Sequence, residues 1–76
     1  MKKSRRLRYL IKGAKMGDPK RTYELGLLYE LGLGVEEDMS YAVELISYAA
    51  RSGYKPAVDW MEDYYFDDDA SVQAYS

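Results

Sequence analysis

The sequence predicts an all-α protein of four antiparallel helices, and three observations carry that prediction. Apolar residues recur at helical spacing: Leu7, Leu10, Ile11 and Ala14, and again Ala42, Leu45, Ile46 and Ala49, sit at i, i+3, i+4 and i+7. Helix-ending and helix-starting residues fall between these stripes, as Gly17 then Asp18-Pro19, Gly32 to Gly34 then Asp38, and Gly53 then Pro56. Part of the chain also repeats itself. Ala14 and Gly17 recur as Ala50 and Gly53, an offset of 36 positions (50 − 14). The same offset pairs Lys12 with Tyr48, Gly13 with Ala49, Leu25 with Met61 and Tyr29 with Tyr65. A period of about 20–50 residues marks a solenoid.

The first helix is expected over residues 4–16, with Ser4 as N-cap. Its apolar stripe is Leu7, Leu10, Ile11 and Ala14, while Arg5, Arg8, Lys12 and Lys15 fall on another face. Gly17 ends it, because glycine takes the left-handed backbone of a C′ position. Asp18 then caps a second helix, and Pro19 occupies its first position, where the missing N–H costs nothing. This helix is expected to reach Leu31. Leu25, Leu28 and Tyr29 form one apolar stripe and Tyr23, Leu27 and Leu31 another, so the helix is either sandwiched or offers one side to a partner. Gly26 inside it suggests close approach of another backbone, since glycine there otherwise costs about 1 kcal/mol against alanine.

Gly32-Leu33-Gly34-Val35 reads as the hairpin loop, with Leu33 or Val35 plugging its end. No strand precedes these glycines and no G-K-[ST] follows them, which separates them from a phosphate loop. Asp38 caps a third helix, Met39 to Ser52, whose inner stripe is Ala42, Leu45, Ile46 and Ala49. Leu25 and Leu45 are expected to face each other in the core. A fourth helix is expected from Lys55 to Phe66, followed by an acidic, flexible tail, residues 67–76, set apart from a helical domain of residues 1–66.

The landmarks Leu25-Gly26-Leu27-Leu28-Tyr29, Gly32-Leu33-Gly34-Val35, Asp38, Ala42, Ala49-Ala50 and Gly53 together resemble the Sel-one-like repeat, a helical-hairpin solenoid family of the tetratricopeptide type. Two positions depart from its pattern: the opening alanine is Arg21, and the aromatic of the second helix is Leu45. The resemblance covers one full repeat, about residues 18–53, with half a repeat on each side. It implies a short right-handed α-hairpin solenoid used for protein–protein contact, and it supplies no catalytic residues. It also implies that the first helices of successive hairpins, here the second and fourth helices, line the binding surface. Positions outside the framework are then free for a partner: Tyr23, Glu24 and Leu27 on one helix, Asp59, Trp60 and Asp63 on the other. For Trp60 two placements stand open, facing a partner or folded against the third helix or the tail.

Composition narrows the function further. The chain of 76 residues is one domain with a modest core. It has no cysteine and no histidine, which removes disulfides, thiolate zinc sites and the usual general base. The serines lack a histidine partner, and neither Glu36-Glu37-Asp38 nor Asp67-Asp68-Asp69 has the alternating ligands and central glycine of a calcium loop. No enzyme, metal or cofactor is expected. Charge is distributed unevenly: residues 1–21 carry nine basic side chains against Asp18 alone, and residues 22–76 carry two basic against twelve acidic. This asymmetry supports an alternative, a charge-driven binder. It would hold nucleic acid through Arg5, Arg8, Lys12 and Lys15, or a basic protein through the acidic half as a nucleic-acid mimic or inhibitor. Tyr9-Leu10-Ile11 falls short of the roughly 7–15 apolar residues of a secretory signal, and no segment has the length of a membrane span, so a cytoplasmic location is expected. The half repeats at both ends leave unfinished stacking surfaces, compatible with a monomer or a weak homo-oligomer.

Overall fold

Three short polar side chains set three helix starts. In the computed structural model, which describes the backbone of residues 4–73 and the side chains of residues 4–65, the Ser4 hydroxyl accepts the Leu7 N–H at 3.0 Å. The Asp18 carboxylate accepts from Lys20 at 3.0 Å, and that of Asp38 from Tyr41 at 3.1 Å. Each such cap is worth about 1 kcal/mol. The helices that result are α1 (Arg5–Lys15), α2 (Pro19–Leu31), α3 (Met39–Arg51) and α4 (Lys55–Gln73). The main helix contacts join chain neighbours, α1 with α2, α2 with α3, and α3 with α4.

The two turns that end α1 and α3 have one geometry. After α1, Gly17 (φ 83°) donates to the Ala14 carbonyl at 3.0 Å and Asp18 to that of Gly13 at 2.9 Å. After α3, Gly53 (φ 92°) donates to Ala50 at 2.9 Å and Tyr54 to Ala49 at 3.0 Å. Both are the paired bonds of a Schellman end, satisfying carbonyls that the helix itself leaves open. The hairpin loop between α2 and α3 closes when Asp38 donates to the Tyr29 carbonyl at 2.9 Å. Val35 packs on the core there, whereas Leu33 stays exposed.

The core lies in two clusters. Leu7, Leu10, Leu25 and Leu45 form the first, with Ile11, Ala14, Leu28, Tyr29 and Val35 against it. Ile46, Ala49 and Ala57 form the second, flanked by Tyr23, Leu27, Trp60 and Met61. α2 thus gives its Leu25 side to one cluster and its Tyr23 side to the other, as its two stripes require. Gly26 is the close approach: a Cβ built there would lie 2.6 Å from the Ile46 side chain and 3.2 Å from the Ala42 carbonyl oxygen. Leu31 is a correction to the second stripe, since it is exposed at the end of α2.

α4 is longer than expected. Its backbone stays helical through Gln73, seven residues past Phe66. The physical reason is that no glycine or proline follows Phe66 to stop it, and Ala70 and Gln73 are good helix formers. Residues 74–76 of the expected tail lie outside the described residues.

Candidate functional site

α2 and α4 meet along the second cluster, and their partly exposed side chains form one surface. Tyr23 sets its ring edge-on to Tyr54, centroids 5.5 Å apart. Leu27 and Trp60 pack on the same buried alanines and isoleucine. The Trp60 indole N–H donates to Glu30 Oε1 at 3.2 Å, tying α4 to α2. One turn on, Tyr64 stacks on the indole at 5.1 Å with the rings within 16° of parallel. Glu30, Trp60, Asp63 and Tyr64 line an open recess. Asp59 sits beside it and accepts from Lys55 at 2.7 Å.

The electrostatics of this surface are negative. Burial raises the Tyr23 phenol above its ordinary value, and Tyr54, Glu30 and Asp59 push in the same direction. Two aromatic planes flanked by carboxylates attract a cation: the rings offer their negative faces and the carboxylates add charge.

The structure therefore brings Tyr23, Leu27, Asp59, Trp60 and Asp63 to one side of the molecule. Glu24 is the exception. It turns toward α1 and pairs with Arg6 at 3.0 Å. Trp60 lies between its two expected placements, partly buried in the lining of the recess with its nitrogen satisfied. Sequence reasoning missed Glu30, although it stands three residues after Leu27 and seven after Tyr23, which places it on their face. It also missed Tyr54, which no periodicity marks because it precedes α4.

The basic stripe is where the spacing put it. Arg5, Arg8, Lys12 and Lys15 are all exposed, and among the described residues none of them is in an ion pair. Beside them Arg21 holds its guanidinium 3.9 Å above the Tyr9 ring. Among the described residues no group of three metal-ligating side chains converges, and no helix is long and apolar enough to cross a membrane.

No family model matches the chain, and no solved structure matches it. A curated relative is the DAP3-binding cell death enhancer 1 of Mus musculus, 38% identical over 53 residues. The match takes in 70% of this chain and 10% of the relative, so the chain spans about a tenth of the length of the protein it resembles.

Proposed function

We propose that this chain is a non-enzymatic protein-binding module of the Sel-one-like helical-hairpin kind, and that it receives a basic segment of a protein partner on the α2/α4 surface. The observation that carries the reading is the stacked Trp60–Tyr64 pair, framed by the Glu30 and Asp63 carboxylates around an open recess. An arginine or lysine over the indole gains a cation–π contact, worth up to about 2 kcal/mol when desolvated. Carboxylates at the rim draw the cation in and fix its register. The relative's printed name makes that protein a binder of another protein, which agrees with the class of function and says nothing of this chain's partner. A smaller part is assigned to Glu24, whose carboxylate is already engaged by Arg6.

Trp60 is the sole tryptophan, so its emission reports on the site directly. Titration with short Arg- and Lys-containing peptides should change that emission saturably. Truncating Trp60 to Ala should weaken capture of those peptides by about 2 kcal/mol or more. Glu30→Gln, which keeps an acceptor for the indole, should weaken it without unfolding the protein. Equal responses to acidic and basic peptides, or no response to either, would sink the assignment.

A further inference from the structure

The chain holds one arginine against a ring and a carboxylate at the same time. The Arg21 guanidinium carbon lies 3.9 Å from the centre of the Tyr9 ring, and its Nε pairs with Asp18 at 3.1 Å. A guanidinium does both because it is planar: its face meets the ring while its N–H groups point outward, in plane, to acceptors at the side. Lysine behaves differently here. Lys55 pairs with Asp59 at 2.7 Å and leaves 78% of its side chain exposed, and among the described residues no lysine ammonium lies over a ring.

The α2/α4 recess presents the same two elements. Its aromatic element is the Trp60–Tyr64 stack. Its carboxylates stand at the edge of that stack. The indole N–H lies in the ring plane, so Glu30, which accepts it at 3.2 Å through Oε1, sits beside the indole rather than over its face. Asp63 adjoins Tyr64 in the chain, is exposed and lines the same recess. Among the described residues neither Glu30 nor Asp63 is in an ion pair, whereas the neighbouring Asp59 is already taken by Lys55.

We infer, resting on the assignment of this surface to a basic segment, that the recess selects arginine over lysine: the guanidinium lies against the Trp60–Tyr64 stack and bonds at its edge to Glu30 and Asp63. An ammonium is compact and strongly hydrated, with three donors spreading from one nitrogen. Over the ring it turns donors into the π face and away from the edge; at the edge it leaves the ring. Arginine makes both contacts at once and, being more weakly hydrated, gives up less water to do so. The same geometry makes the recess sensitive to methylation of the arginine, which keeps the charge but removes edge donors. A site that read only ring faces would instead favour a quaternary ammonium, which carries charge and no donor.

The test is one neutral peptide scaffold in four versions, with arginine, dimethylarginine, lysine or trimethyllysine at its single cationic position. Each is titrated against the whole chain at one ionic strength, with Trp60 emission as the readout. The arginine version should bind tighter than the lysine version by about fivefold or more. Dimethylation should bring arginine down to about the lysine value, and trimethyllysine should bind no better than lysine. Asp63→Asn, at an exposed position, should remove most of the difference between arginine and lysine. Affinities for arginine and lysine equal to within about twofold overturn the inference and leave the basic-segment assignment standing. So does tightest binding by trimethyllysine, or a preference for arginine that survives both dimethylation and Asp63→Asn. No response to any of the four peptides overturns both.

Discussion

The α1/α2 and α3/α4 junctions are the same turn built twice, and they are packed in opposite ways. Their backbones superpose in hydrogen bonding, from the glycine at C′ to the donor that follows it. Inside the second junction two alanines meet, Ala49 and Ala57, both fully buried. Inside the first, the equivalent residues are Gly13 and Arg21. A Cβ added to Gly13 would lie 2.6 Å from the Arg21 Cβ and nearer still to its Cδ. Arg21 is the large residue standing where the repeat pattern has alanine, and Gly13 is what makes room for its stem. The head of Arg21 then reaches Asp18 at 3.1 Å and covers Tyr9. One helix crossing is thus kept by two different volume pairs, small with small, or none with large.

The caps diverge in the same comparison. Asp18 bonds the first N–H groups of α2 with its side chain. Tyr54, its image at the 36-residue offset, has no such group; its carbonyl accepts from Ala57 at 3.0 Å and from Val58 at 3.1 Å, the latter as the Asp18 carbonyl accepts from Thr22 at 2.9 Å, so the side-chain cap alone is missing. The freed Tyr54 ring packs against Tyr23. A position that stabilises a helix end in one junction helps to build the candidate binding surface in the other.

The sharpest way to break the comparison is at the leucine of the first cluster. Leu25 is 2% exposed, whereas its image Met61 borders an open groove. Leu25→Ala should cost roughly 2–5 kcal/mol, and Met61→Ala clearly less, both read from denaturant unfolding. Equal losses would mean that the two halves are not related by the 36-residue displacement.

A smaller effect tests the volume pairs. Gly13→Ala alone should destabilise by roughly 1–3 kcal/mol through overpacking against Arg21. Adding Arg21→Ala should recover most of that, because the double variant recreates the Ala49–Ala57 pair and gains helix propensity of about 1 kcal/mol over glycine. A double-mutant cycle with no coupling would show that the two residues do not share space.

The smallest effect is alkaline. The Tyr23 phenol has a raised folded pKa, from burial first and then from Tyr54, Glu30 and Asp59. Lys55 is raised as well, by its hydrogen bond from the ammonium to Asp59. Both shifts favour the protonated form in the folded state, so their stabilisation is complete below the ordinary values of 10.0 and 10.5. It is lost as pH rises through the folded values. Thermal melts taken into that range should fall, and Tyr23→Phe should make the fall shallower. An unchanged slope would mean that neither burial nor these neighbours raises the phenol.

Helix starts and the apolar stripes were legible in the sequence because their causes are local, whereas the division of the α3 stripe between two clusters, Leu45 in one and Ile46 and Ala49 in the other, was not. A cap needs only its own next three residues, and an apolar stripe needs only its own helix. The end of α4 was not legible, since it depends on stop residues that are missing after Phe66 rather than on any that are present. Within the candidate site, Trp60 and Tyr23 could be named from the positions that the repeat framework leaves free. Glu24 was grouped with them by that rule, although roughly 100° of helical rotation separates it from Tyr23 and turns it to α1. The Gly13–Arg21 fit joins two helices and appears only once their separation is known.

Gly26 has a mechanical consequence. It is a notch in the side of α2, and the Ile46 side chain of α3 sits in it. A slide of α3 by one turn along its partner would bring Ile46 onto Thr22 or Glu30, where a full side chain blocks the way. The hairpin therefore has one axial setting rather than a series of near-equal ones. Whatever α2 and α3 display on their outer faces is held in a single phase, and the spacing between α1 and α4 on either side is fixed with it.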